Sequence, residues 1–200
     1  MEIAKGQKIF VSSTVYEDLF DLRAELLHTI PTWGYVPLAH ENPDFPAPSA
    51  KHSHDACLEV VGECDVFLLV IGSRYGNIYA GANPTYIGTK WSVTRCEADL
   101  AFKLGKECLT FVRDTVWDER KSYNAHLKRG GEAKTFTPVH AKDTEVFEFL
   151  NEINRRERAN WIRAFNTSVD LKALLLARLT GERADIFSSG HFKKMYGNES

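Results

Sequence analysis

The chain alternates short segments made only of apolar residues with longer segments in which apolar residues recur every three or four positions. One segment of the first kind, residues 66–71, has six apolar residues in a row and therefore no polar face. Such a segment is typical of a central strand in a parallel sheet, where helices cover both sides. Shorter segments of this kind predict four more strands, at residues 8–11, 35–38, 108–112 and 161–165. Pro37 cannot donate a ladder hydrogen bond, so the second strand is expected at an edge.

The segments with helical spacing predict helices at residues 15–29, 55–63, 94–104 and 169–179, and another that begins at residue 144. At the first helix, Thr14 and Glu17 match a capping box, and Pro31 and Gly34 are expected to end the helix. Asp55 is expected to cap the second helix. Residues 113–142 have no clear pattern, except that residues 128–131 are expected to form a turn with a short helix before it.

Strands that alternate with helices predict an α/β fold, a single doubly wound domain that spans residues 1–181. We expect about five parallel strands in the flavodoxin-like order 2-1-3-4-5, with helices on both faces. Residues 182–200 are interpreted as a tail or linker.

Composition narrows the functional classes. The formal net charge of −2 over 200 residues predicts no basic surface for nucleic acid, and no segment has the roughly 20 apolar residues of a membrane span. The first residues contain no hydrophobic signal core, so a cytoplasmic location is expected. The four cysteines form no C-x-x-C pair, and we expect reduced thiols, no metal site and no cofactor.

Chemistry-bearing residues follow the first and third strands, at the carboxyl ends where open α/β sheets bind ligands. Ser12, Ser13 and Thr14 lie before a predicted helix, and their hydroxyls suit a ribose or phosphate, although helix capping alone also explains Thr14. After the third strand, Gly72, Arg74 and Tyr75 are expected to line the same site, or Arg74 and Tyr75 are a surface cation and a packed ring. The long loops 41–53 and 77–91 are predicted on this edge, the second as a lid.

Glu97 is the main candidate for catalysis. It falls in the first turns of the helix after the third strand, where its carboxylate can stabilise or attack the ribosyl cation that forms when an N-glycosidic bond breaks. The alternative is structural, because Thr94 and Glu97 match a capping box that would hold the carboxylate on the backbone.

Other polar residues receive structural interpretations. Asp18 and Arg23 are interpreted as charges on a helix surface, and His52 and His54 as solvated loop residues. Trp91 is either an anchor of the lid or a packing residue.

Taken together, the motifs resemble a domain-of-unknown-function family with a TIR-like (Toll/interleukin-1 receptor-like) fold. The resemblance covers roughly residues 7–180 and depends on residues 8–14, Asp18, Leu19, Arg23, residues 72–76, residues 92–97, Ala101, Gly105, Lys106, Phe165, Asn166, Asp170 and Leu171. In the related TIR domains and nucleoside deoxyribosyltransferases, a Glu on the helix after the third strand carries N-glycosidic chemistry, and Glu97 has that motif position. The resemblance also implies a place at the N-terminus of larger proteins, including bacterial defence proteins.

The leading hypothesis is a nucleotide-processing effector domain that cleaves the nicotinamide–ribose bond of NAD or a related nucleotide, in antiphage defence or signalling. Glu97 would be the catalytic carboxylate and NAD a substrate rather than a cofactor. The alternatives are a non-catalytic interaction or nucleotide-sensing module and a nucleoside deoxyribosyltransferase-like enzyme. The expected partners are a nucleotide and either a second copy of the chain or a fused oligomerisation or ATPase module, with no nucleic acid and no membrane.

Overall fold

The computed structural model describes residues 3–14, 19–42, 45 and 50–181. Five parallel strands form one sheet in the order β2-β1-β3-β4-β5, which confirms the predicted fold class and strand order. The strands are β1 (Lys8–Ser13), β2 (Val36–Leu38), β3 (Val66–Ile71), β4 (Glu107–Arg113) and β5 (Ile162–Phe165). β2 is an edge strand, as Pro37 predicts.

Six α-helices connect and cover these strands. They are α1 (Phe20–Thr32), α2 (Ser53–Glu63), α3 (Val93–Lys103), α4 (Asp114–Lys128), α5 (Glu145–Arg155) and α6 (Ser168–Thr180). None of the helices in the described part of the chain combines the length and the apolar character needed to cross a membrane.

The central strand β3 shows why the sequence needs helices on both sides. Its six side chains are all buried, and they point alternately to the two faces of the sheet. Val66, Leu68 and Val70 pack with residues of α1 and α6, whereas the other three pack with α2, α3, α4 and α5. The core therefore consists of two apolar layers separated by the sheet.

Several helix boundaries differ from the prediction. The predicted start of the first helix, Glu17 of its capping box and the surface charge Asp18 fall on residues 15–18, outside the described residues. The prediction that Pro31 ends this helix is wrong, because Pro31 lies inside the last turn of α1. At this position proline costs the helix only the one backbone hydrogen bond that its missing N–H would donate.

The segment 113–142 begins with α4, which is longer than the short helix expected there and ends at the turn predicted for residues 128–131. α4 follows β4 directly and packs Val116 and Tyr123 into the core. The buried Glu119 carboxylate then accepts backbone N–H bonds from residues 139, 140 and 141. The Glu119 side chain thus holds residues 139–141 against α4, before the chain enters α5 and returns to the sheet.

Candidate active site at the carboxyl edge of the sheet

A cavity of about 260 Å³ opens where β1 and β3 end, between the first turns of α2 and α3. We call it the carboxyl-edge cavity. It is lined by Phe10, Val11, Ser12, Ser13, Thr14, Arg23, His40, Ser53, His54, Cys57, Arg74, Gly76, Asn77, Val93, Thr94 and Glu97.

Glu97 lies at the wall of this cavity because α3 begins earlier than predicted. The helix begins at Val93, and the Ser92 hydroxyl caps it by accepting a bond from the Arg95 backbone N–H. The predicted Thr94–Glu97 capping box is therefore wrong. Glu97 falls in the second turn, beyond the reach of a cap, and its side chain points to β1.

The Glu97 carboxylate is buried and has a specific partner. Only 6% of the residue is exposed, and the Ser12 hydroxyl donates a hydrogen bond of 2.6 Å to Glu97 Oε2. Eighty-five residues separate the two groups in the sequence. The fold therefore brings together the hydroxyl turn and the candidate acid, as the sequence predicted.

Burial raises the pKa of Glu97 from its ordinary 4.5 to about 7. The hydrogen bond from Ser12 and the positive charge of Arg23 act in the opposite direction, and Glu41 adds to the rise. A carboxyl group with a pKa near neutrality can hold or release a proton at physiological pH, which is typical of acid–base and nucleophilic sites.

Arg23 is not a surface charge, and that interpretation is wrong. The residue is 5% exposed and lies under the cavity. Its Nη1 donates to the Val11 carbonyl at 2.7 Å and to Ser13 Oγ at 3.0 Å, while Nε and Nη2 bind both carboxylate oxygens of Glu41. The signal was present in the sequence, since Arg23 follows Leu19 by four positions and thus lies on the apolar face of the helix.

The structure brings together four of the six predicted substrate-binding residues. Ser12, Ser13, Thr14 and Arg74 all line the cavity. The buried Thr14 hydroxyl oxygen has no hydrogen-bond partner in the part of the chain that the structure describes.

Gly72 and Tyr75 are not among the lining residues. The Tyr75 ring is buried in the core against Phe149, with ring centroids 6.4 Å apart, and its hydroxyl accepts a bond from Arg95. Tyr75 is thus a packing residue, which was the alternative interpretation.

The loop 77–91 is a packed element. The buried rings of Tyr79 and Tyr86 contact Leu58 and Cys96, and the Tyr86 hydroxyl donates to Asp99 Oδ2 at 2.9 Å. Of this loop, Asn77 reaches the cavity lining. The loop therefore forms a wall beside the cavity.

Asp55 fixes this loop to α2, and the prediction that it caps α2 is wrong. His52 is the cap, and its ring accepts the His54 backbone N–H. The Asp55 carboxylate instead accepts bonds from the Tyr79 hydroxyl and the backbone N–H groups of Ala82 and Asn83.

Two cavity residues were missed or misassigned. His54 lies in the first turn of α2 rather than in a solvated loop, and its Nδ1 accepts the Ala80 backbone N–H at 3.0 Å.

Cys57 is buried one turn later, and desolvation together with the nearby Glu97 raises the pKa of its thiol to about 12. Cys57 is therefore a neutral thiol at physiological pH. Its position four residues before Val61 indicated an inward-facing side chain.

Among the residues that the structure describes, no group of three or more His, Cys, Asp or Glu side chains could hold a metal ion. The chemistry available in the cavity is thus that of one carboxyl group with five hydroxyls, two imidazoles, one thiol and two guanidinium groups.

Comparison with known proteins places the chain in a family. No curated protein matches it. A family described as a domain of unknown function, DUF4062, matches residues 8–180, which include every strand and helix of the fold. The chain belongs to the DUF4062 family.

Proposed function

We propose that the carboxyl-edge cavity binds a nucleotide and that Glu97 promotes cleavage of its N-glycosidic bond, with NAD or a related nucleotide as substrate. The observation that carries the proposal is the Glu97 carboxyl group, buried at the cavity wall and 2.6 Å from the Ser12 hydroxyl. The resemblance of the motifs to TIR-like domains supports the same position for the catalytic acid.

The cavity chemistry fits the parts of a nucleotide. Its volume of about 260 Å³ suits a nucleoside-sized group, since sites for larger ligands span about 300–1,000 Å³. The buried Thr14 hydroxyl oxygen, without a partner among the described residues, is placed to bind a ribose hydroxyl. The guanidinium group of Arg74 supplies the geometry that phosphate oxygens prefer.

The reaction would use Glu97 in its ionised form. As the bond between C1′ and the base nitrogen breaks, its electron pair leaves with the base and positive charge develops on the ribose. The Glu97 carboxylate stabilises that charge or bonds to C1′. Water then adds at C1′ and releases one proton, which balances the hydrolysis.

The wider role follows from the same resemblance. We propose an effector domain of signalling or antiphage defence that acts when it self-associates or is joined to an oligomerisation or ATPase module. The test therefore uses self-associated or full-length protein.

The test measures release of the free base from NAD⁺ by wild-type protein, Glu97→Gln and Glu63→Gln. Glu97→Gln keeps the size of the side chain but removes its charge, and we expect turnover to fall at least about a hundredfold. Glu63 lies at the end of α2, exposed and outside the cavity, so Glu63→Gln should retain wild-type turnover. Wild-type turnover should rise as pH increases through about 7, because ionised Glu97 is the active form.

Equal turnover by wild type and Glu97→Gln would exclude Glu97 from the reaction. Base exchange on 2′-deoxynucleosides without hydrolysis of NAD⁺ would instead indicate a deoxyribosyltransferase.

A second candidate is a nucleotide-sensing module without turnover. The low exposure of Glu97 favours it, since a carboxyl group that is 6% exposed also fits a structural role in joining α3 to β1. Saturable binding of a nucleotide without product, in every state of assembly, would support this candidate.

A further inference from the structure

A second concave site lies at the opposite edge of the sheet, where β4 and β5 begin. We call it the amino-edge pocket; its volume is about 290 Å³. It is lined by Phe102, Gly105, Lys106, Glu107, Cys108, Arg158, Ala159, Asn160, Trp161 and Arg178. It shares no residue with the carboxyl-edge cavity, so a ligand at this edge would bind whether or not the other cavity has the proposed function.

Positive charge exceeds negative charge at this pocket. Three lining residues are cationic, and Glu107 is the one acidic lining residue; it pairs with Arg178 at 3.0 Å. Lys106 Nζ is occupied by the carbonyl oxygens of Gly62 and Cys64. Arg158, which is exposed, forms no ion pair with any described carboxylate. The pocket therefore presents a guanidinium group whose N–H donors are available to an anion.

Aromatic rings hold the guanidinium groups in place. The Arg158 Cζ lies 5.5 Å from the Phe102 ring centroid, and the Arg178 Cζ lies 5.6 Å from that of Trp161. A guanidinium group over a ring face keeps its N–H fork free at the edge, which is the geometry that binds phosphate in a bidentate manner. A second guanidinium group also faces each ring, Arg156 at 4.5 Å from Phe102 and Arg163 at 5.8 Å from Trp161, and the ring surface that lines the pocket beside them is apolar.

The backbone at the pocket is held in an unfavourable conformation. Ala159 has φ = 51°, the one non-glycine residue in the described chain with positive φ. It lies between Arg158 and Asn160, both of which line the pocket. Strain of this kind concentrates at ligand sites, where the backbone is fixed for function rather than for stability.

Helix dipoles explain only part of this charge. α3 and α6 end near the pocket, and their carbonyl ends favour nearby cations such as Arg178 in the last turn of α6. Arg158 belongs to no helix, because α5 ends at Arg155. The dipoles therefore give no reason for a cation at position 158.

We propose that the amino-edge pocket binds a nucleoside monophosphate, with the phosphate on Arg158 and Arg178 and the base against Trp161. The phosphate supplies the negative charge that the pocket lacks, and the flat base fits the ring surface. The volume of about 290 Å³ suits one nucleoside unit.

The experiment titrates AMP into the protein at low salt and follows the indole N–H signals of the four tryptophans by NMR. The Trp161 signal, identified by its loss in Trp161→Phe, should shift and saturate. Trp117, which packs against the core and lines neither cavity, serves as the internal reference. Arg158→Gln should raise the Kd at least about tenfold, because one charge-assisted hydrogen-bond pair is lost.

Two variants serve as controls, and a third tests the second arginine. Arg129→Gln removes an equal charge from an exposed position after α4, and Glu97→Gln alters the other site. Both should leave the Kd for AMP at Trp161 within about twofold of wild type. Arg178→Gln should weaken binding as Arg158→Gln does. The exposed Arg158 has few packing contacts, so its variant should fold normally.

The probes also separate the parts of the ligand. Ribose 5-phosphate should bind more weakly than AMP, and adenosine without phosphate should not shift the Trp161 signal. The proposal is overturned if AMP does not shift Trp161 at concentrations up to about 10 mM. It is also overturned if Arg129→Gln weakens binding as much as Arg158→Gln, or if a single-stranded oligonucleotide binds far more tightly than AMP, which would indicate a nucleic-acid surface.

Discussion

The two edges of the sheet carry cavities of similar volume and opposite construction. At the carboxyl edge, two buried charged groups each have a specific partner: Arg23 is joined to Glu41, and Glu97 to Ser12. At the amino edge, Arg158 is exposed and lies on the face of Phe102 without a carboxylate partner among the described residues. Burial changes the chemistry of a side chain by raising the pKa of a group such as Glu97, whereas an exposed guanidinium group offers charge for binding. We therefore expect reactivity at the first edge and recognition at the second.

The largest effect should come from Arg23→Met. Its loss leaves Glu41 without its bidentate partner and leaves the Val11 carbonyl and Ser13 hydroxyl without their donor. We expect a loss of about 3–4 kcal/mol in the free energy of unfolding, measured by urea denaturation. A loss below about 0.5 kcal/mol would mean that the buried Arg23 at the carboxyl edge contributes as little to stability as the exposed Arg158 at the amino edge.

The next effect concerns pH and Glu97. Because its pKa is about 7 in the folded protein and about 4.5 when unfolded, the folded state retains a proton that the unfolded state has released between these pH values. Stability is therefore highest below pH 4.5, as far as this group is concerned, and falls by up to about 3 kcal/mol as pH rises through 7.

Glu97→Gln tests this prediction, because a glutamine side chain does not take up or release a proton in this pH range. Urea unfolding of wild type and variant at pH 5 and pH 8 should show the variant gaining stability relative to wild type at the higher pH. A difference that does not depend on pH would contradict the raised pKa.

A smaller effect is expected from Gly81→Ala in the loop 77–91. A Cβ at this position would overlap the Asp55 carboxylate and the Tyr79 hydroxyl, so the contact that fixes the loop to α2 must shift. We expect a loss of about 1–3 kcal/mol, with faster amide exchange concentrated in the loop. Gly88→Ala provides the comparison in the same loop: its Cβ would meet no atom within 4 Å, so any loss there reports backbone strain at φ = 75° rather than overlap.

The smallest effect is expected from Arg158→Gln in the absence of ligand. An exposed arginine on a ring face contributes little to stability, so the free energy of unfolding should change by less than about 0.5 kcal/mol. A large loss would mean that this arginine holds the fold together, as Arg23 does.

The sheet could be predicted from the sequence because most of its strand positions are apolar and its central strand is wholly so. Residues 66–71 are apolar on both faces, and Pro37 limits its strand to an edge, so the order of strands followed from few alternatives. The position of Glu97 near Ser12 followed in turn, because carboxyl ends of neighbouring parallel strands meet at one edge.

The remaining features could not be predicted, because a side chain had two plausible partners or positions and the sequence does not show which one the fold uses. Arg23 was assigned to the surface because of its charge, although its spacing placed it inward, and its partner Glu41 comes from another segment. Asp55 and Thr94 both fit helix caps, but His52 and Ser92 take those positions, two or three residues earlier. Propensity identifies suitable caps but does not choose among neighbours, since packing fixes where the helix begins.

The pairing of β1 with β3 has a mechanical consequence. Ser12 and Ser13 lie opposite Leu69 and Val70 in the ladder, so both serines are part of the most deeply buried strand pair. Moving the backbone of either serine would require the central strands to separate, so each hydroxyl can move only by rotation of its own short side chain. Adaptation to molecules of different shape must therefore come from the helix ends and connecting segments around these two fixed points.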